Sequence, residues 1–164
     1  MSKFKLADTM QIDVDEADKI IKKFFSVVPK VEEFINYLGN LAKTRGYIRT
    51  AVPYRRIRFF ENNDKDDFKR LGEIERAGKN TPIQGTNGDI IKSALINVQN
   101  YIDLNNLPIN IILSVYDEIQ TECEESISEK WSNTLSEIMI NSAQQVIKTV
   151  PIAVDCKVSD YWQK

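Results

Sequence analysis

Apolar residues recur along the chain with two different periods, and the change between them marks out the elements. Ala17, Ile20, Ile21, Phe24, Phe25 and Val28 follow at helical spacing behind Asp13-Val14-Asp15-Glu16, a D-x-x-E capping box. Pro29 suits the first turn of a second helix carrying Val31, Phe34, Ile35, Leu38 and Leu41, and Gly46 ends it. The segment GYIRTAVPYRRIRF predicts short extended pieces around a turn at Pro53, and Asp64 to Lys79 predicts a polar helix. Pro82 opens a new unit. Thr86-Asn87-Gly88-Asp89 has the form of another cap, ahead of Ile90, Ile91, Ala94, Leu95, Val98, Tyr101 and Ile102 on one helix face. Gly88 in that first turn costs up to about 1 kcal/mol relative to alanine.

Beyond the turn LNNLP the period falls to two. Ile109, Ile111, Leu113 and Val115 share one face, and Ile119, Thr121 and Cys123 continue the alternation past Tyr116-Asp117-Glu118. A β-hairpin is predicted. Ser126-Ile127-Ser128-Glu129 caps a long helix bearing Trp131, Leu135, Ile138, Met139, Ala143 and Val146, and PIAVDCKV is a last strand. There is no internal repeat or low-complexity linker. The expected fold class is α+β, helix-rich, with a small antiparallel sheet backed by helices.

Composition narrows the chemistry. The 164 residues are enough for one ordinary domain with a sizeable core. No apolar run is long enough to span a bilayer, and no signal sequence opens the chain, so the expectation is a cytoplasmic protein without a membrane partner. Cys123 and Cys156 form no CxxC and are read as reduced buried thiols, with a disulfide the lesser alternative. Histidine is absent, which removes His-ligated zinc, Ser-His-Asp triads and Cys-His pairs. Any catalysis must rest on carboxylates, lysines, tyrosines or an oxygen-bound metal. A net charge of −2 does not describe a free-standing nucleic-acid binder. All seven arginines nevertheless lie between Arg45 and Arg76, five of them in a stretch without an acidic residue. On charge alone this cluster is either a solvated, ion-paired face or a phosphate-binding one.

The hairpin tip has two readings as well. Asp117 and Glu118 are presented together by a rigid sheet, as a hard divalent cation such as Mg²⁺ requires of its one or two carboxylate ligands. The same Asp-Glu is also an ordinary polar turn.

The surrounding motifs bear on that choice. SVYDEIQ between two apolar strands resembles motif C of the family A DNA polymerases, usually VHDE, and NTPIQGTNGDIIKSAL resembles their N-x-P-x-Q-G-T-A-A-D-I-I-K segment. ERAGKN matches E-R-x-x-x-N. GYIRTAVPYRR is similar to G-Y-x-x-T-x-x-G-R-R, with one extra residue and with Pro53 and Tyr54 displacing the usual glycine. VPIAVDCKVSDYW resembles the final palm strand, and the first thirty-one residues resemble the stretch after the fingers helix, which ends Y-G-M-S. The likeness runs along nearly the whole chain, in order.

This resemblance implies a partial polymerase palm: residues 1–80 a helical fingers-base segment with the arginine-rich hairpin, and residues 81–164 the C-terminal palm portion. Asp117 would coordinate catalytic Mg²⁺ in a two-metal site, and Glu118 would support that site through water or geometry. Tyr116, in place of the family histidine, would tune packing at the primer end. Asn80 and Gln84 would touch the minor groove there, and Arg76, Arg55 and Arg56 would contact DNA. The implied partners are primer-template DNA and, through the complete enzyme, dNTP.

Several parts of the family pattern are missing: motif A with its metal-binding aspartate, the nucleotide-gripping fingers helix, the thumb and any exonuclease domain. Met1 falls on the methionine of Y-G-M-S. The expectation is therefore the C-terminal part of a DNA-directed DNA polymerase, of divergent phage-like type from a bacterium or an infected host cell. It should be inactive alone, completed by an upstream part encoded separately through a split gene or an interrupting element. Otherwise it is the end of a longer protein whose start was assigned at an internal methionine. It should expose an apolar surface where the missing part packs. The alternative is a non-catalytic DNA-binding or protein-interaction remnant.

Overall fold

Local punctuation closes the first helices largely where the sequence places it. The computed structural model describes residues 2–61 and 67–162. Helix α1 (Lys3–Met10), which periodicity does not announce, begins where the Ser2 hydroxyl accepts the Lys5 N–H at 3.3 Å. Helix α2 (Val14–Val27) is capped by Asp13, whose carboxylate accepts the N–H of Asp15 at 2.8 Å. Helix α3 (Pro29–Arg45) starts on its proline and ends at Gly46, which takes φ 71°. The polar helix is α4 (Phe68–Asn80); its predicted start at Asp64 lies outside the described residues.

The chain divides into two compact units, the first comprising Met1–Ile48 and Phe59–Lys79. Within it α3 and α4 approach closely because Gly78 leaves no room for a Cβ against Ala42. Beside that contact Glu75 accepts hydrogen bonds from Lys43 at 2.7 Å and from Lys79 at 2.6 Å. These two ammonium groups, Lys43 first, hold the Glu75 carboxyl down at about 2. The folded value lies below the ordinary 4.5, so the stabilisation is complete above pH 4.5 and is lost as pH falls toward 2. Because the carboxylate is about one-third exposed, water screens the pairs, each worth about 1 kcal/mol or less. Comparing thermal melts of wild type and Glu75→Gln should show the difference between them shrinking across that window; a constant difference would contradict this assignment. Large apolar side chains on α2 and α3 stay in solvent, Phe24 at 61% and Phe34 at 51% exposure, and Ala17 is the only buried side chain of α2. The helical pattern formed as predicted, but its apolar stripe is only partly covered.

The second unit comprises Arg49–Arg58 and Asn80–Lys164. Strands β1 (Tyr47–Arg49) and β2 (Ile57–Phe59), of which Arg49, Ile57 and Arg58 belong to this unit, form a two-stranded sheet around the predicted turn. Thr81–Gly85 form a π-helical turn leading directly into α5 (Thr86–Leu104). The expected cap at Thr86 is therefore absent: Gly85 is already helical (φ −64°, ψ −38°), and no side chain caps α5. Pro82 cannot donate to the helical ladder and its ring crowds the preceding turn, a strain that a widened π turn accommodates without stopping the helix.

Strands β3 (Asn110–Val115) and β4 (Glu118–Glu122) pair antiparallel, with Ile111 opposite Thr121 but Leu113 opposite Gln120. Ile112 is an inserted residue. This bulge overturns the single apolar face expected for β3, because Leu113 and Val115 move off the side occupied by Ile111 and Leu113 is exposed. Helix α6 (Glu125–Gln144) begins one residue before the expected Ser126 cap; Glu124 takes the extended cap conformation and makes no side-chain bond. A core of Ala94, Val98, Ile102, Ile109, Ile119, Trp131 and Leu135 joins α5, the hairpin and α6. Asn97 donates to Ser142 at 2.9 Å across the same helix pair.

The expected last strand did not form among the described residues. Burial still alternates from Pro151 to Lys157, and Cys156 packs against the core. Each sheet among the described residues has two strands, β1 with β2 and β3 with β4, so this segment pairs with neither, and a strand needs a paired neighbour. Both cysteines are free, as expected, but half-buried and not buried, and partial burial pushes the Cys123 thiol up.

Candidate functional site

The hairpin presents its acids at a tight turn. Val115 pairs with Glu118, leaving Tyr116 and Asp117 between the strands. Tyr116 sits in the left-handed region at φ 54° and is 90% exposed; Asp117 and Glu118 are exposed too. The base of the hairpin is anchored by Ile109 and Ile119 in the core, and by Trp131 Nε1 donating to Thr121 Oγ1 at 2.7 Å. Two adjacent carboxylates on an anchored turn suit a hard cation that takes most of its ligands elsewhere. Among the described residues no three His, Cys, Asp or Glu side chains gather as a metal cluster. The donor set thus fits part of a Mg²⁺ shell and no more.

The second constellation surrounds the π turn. Asn80 and Gln84 are exposed at the start of the turn and near its end. Gly85 is dictated by close approach, since a Cβ there would lie 2.9 Å from Thr50 Cγ2 and 3.4 Å from Arg56 Nη2. Thr86 accepts the Ala51 N–H at 2.9 Å and donates to the Pro82 carbonyl. Arg56 Nε donates to Asp89 Oδ1 at 2.7 Å, and Nη2 donates to the Gly85 carbonyl at 3.1 Å. Asp89 is only 7% exposed.

The predicted residues therefore separate. Arg55 is exposed at φ 50° on the hairpin turn, whereas its neighbour Arg56 points its guanidinium at the protein. Arg76 is exposed on α4, within the first unit. Sequence reasoning missed Thr50, Gly85, Thr86 and Asp89 as a group. The available signal was an acid placed on the inner face of α5, where only a paired charge is stable.

The sequence profile of DNA polymerase family A matches residues 1–164. The chain belongs to DNA polymerase family A. Among relatives of this family, DNA polymerase I of Geobacillus stearothermophilus is 30% identical over 162 residues, covering 99% of this chain and 18% of that protein. DNA polymerase I of Caldicellulosiruptor bescii is 31% identical over 162 residues, again covering 99% of this chain and 18% of its own. A solved structure, the POL domain of Pol1 from M. smegmatis in complex with DNA primer-template and dNTP, is similar with a TM-score of 0.78 at 30% identity. It covers 86% of this chain and 24% of that one. The chain thus spans less than a fifth of these two curated relatives. No helix among the described residues is long and apolar enough to cross a membrane.

Proposed function

We propose that this chain is the motif C part of a template-directed DNA polymerase, active only with a further polymerase segment that carries the second metal-binding aspartate. The observation that carries this reading is the exposed Asp117-Glu118 pair at an anchored hairpin turn, in a chain matching family A along its whole length. Asp117 would hold Mg²⁺ directly, and Glu118 would orient the surrounding water. When bound, the metal pair supplies activation of the primer 3′-hydroxyl and charge stabilisation on the departing pyrophosphate.

The other side chains bind and align. Asn80 and Gln84 carry amide donors suited to the minor-groove acceptors shared by all base pairs, and so check pair geometry without reading sequence. Arg55 and Arg76 reach phosphates, which fixes the duplex in register. Tyr116 places an exposed ring beside Asp117, where it packs against the primer end. The partners are primer-template DNA, dNTP through the completed enzyme, and the upstream segment with motif A and the fingers helix.

The test is Mg²⁺-dependent primer extension with this chain, with the upstream segment, and with both mixed. Extension is expected only in the mixture. If the mixture stays inactive although both pieces are folded and associated, the enzyme reading fails and a non-catalytic DNA-binding or interaction role takes its place.

A further inference from the structure

We infer that Arg56 and Asp89 are a positioning pair that latches the arginine hairpin onto the π turn, and that Arg56 is not a phosphate contact. This rests on the proposed DNA-binding role of Gln84 and Arg55, whose placement the latch controls.

The observations all lie in the second unit. Residues 50–56 are tied to residues 82–89 by several contacts: Arg56 to Asp89, Arg56 to the Gly85 carbonyl, Ala51 to Thr86, and Thr50 against the bare Cα of Gly85. The Arg56 N–H donates to Thr50 Oγ1 at 2.9 Å, which closes the hairpin from within. Gln84 immediately precedes the latched Gly85, and Arg55 immediately precedes the latched Arg56. Freeing the pair would release both at once. Asp89 Oδ2 is buried without a partner, so the pair is poorly optimised for stability alone. The bonds through Nε and Nη2 fix the orientation of the guanidinium, and a side-on fork through Nε onto a phosphate would have to break the bond to Asp89.

A direct DNA contact and a latch predict opposite signs for Asp89→Asn. A direct contact would gain a freed guanidinium and bind primer-template as well as wild type or better. A latch loses its anchor and binds more weakly. Fluorescence anisotropy of the 164-residue chain on a labelled primer-template duplex, titrated with KCl, should show Asp89→Asn and Arg56→Gln each weakening binding about tenfold. The double variant should be no weaker than either single one, and the salt slope should stay within half a unit of wild type. Arg56→Lys keeps a cation able to reach Asp89 and should recover most of the affinity.

Amide hydrogen exchange on the free chain supplies an arm that needs no DNA. The Ala51 amide should exchange about tenfold to a hundredfold faster in both single variants, while Val98 in the core keeps its protection. Unchanged Ala51 exchange overturns the latch even if the chain binds DNA. Undiminished affinity in Asp89→Asn, with a salt slope lowered by about one in Arg56→Gln, overturns it in favour of a phosphate contact. If the wild-type chain does not bind DNA, the proposed function suffers, and the exchange arm still decides the latch.

Discussion

Asp117→Ala in the assembled polymerase should lower the rate of single-nucleotide primer extension by on the order of a thousandfold, with the chain's thermal stability unchanged. Metal-centred charge stabilisation is worth several kcal/mol, and each 1.36 kcal/mol is about tenfold in rate. The unchanged stability follows from exposure, since Asp117 sits between the strands without contributing to the core. Glu118→Gln should fall between about tenfold and a hundredfold, as expected of a group that orients a metal's surroundings. Rapid-quench extension at saturating dNTP, repeated across a Mg²⁺ titration, separates the two. An Asp117→Ala rate within tenfold of wild type, or a deficit that extra Mg²⁺ fully repairs, would refute the assignment of that side chain as an essential ligand.

Trp131→Ala should destabilise the second unit by about 3–5 kcal/mol, a large share of the ~5–15 kcal/mol that holds a domain together. The indole is buried among Val98, Ile102, Ile109 and Ile119, its ring centroid lies 6.3 Å from that of Tyr101, and its N–H is the bond to Thr121. Truncation therefore opens a cavity and removes the tie between α6 and β4 in one step. Trp131→Phe keeps most of the apolar volume while losing the hydrogen bond, at a cost of about 1–2 kcal/mol. Urea titrations followed by far-ultraviolet circular dichroism should rank wild type, Trp131→Phe and Trp131→Ala in that order. Equal midpoints for the two variants would show that the hydrogen bond and not the packed volume sustains the site's support.

Periodicity reported the long helices well because α5 and α6 each bury one stripe in a shared core, and burial is what a 3.6-residue period records. The cap at Asp13, the proline start of α3 and its stop at Gly46 were legible for the same local reason. The family was legible through motif likeness, and the β3–β4 hairpin through the alternation of its apolar residues. What failed depended on neighbours distant in sequence. PIAVDCKV has the alternation of a strand, but pairing requires an adjacent strand that the pattern cannot supply. Pro82 reads as a breaker, yet the chain passes through it by widening one turn. Arg56 looks like any other arginine in a basic run until the fold places Asp89 beside it. The motif letters Gly85, Thr86 and Asp89 were visible, but their common purpose lay in a hairpin roughly thirty residues earlier.

The inserted Ile112 sets the size of the turn that holds the acids. Had the pairing of Asn110 with Glu122 and Ile111 with Thr121 continued unbroken, Ser114 would face Glu118. Val115, Tyr116 and Asp117 would then form a looser connection. By absorbing one residue upstream, the bulge returns Val115 to the ladder and leaves only Tyr116 and Asp117 outside it. The tautness of the turn that carries Asp117 is thus decided by counting residues along β3, several positions away from the carboxylates themselves.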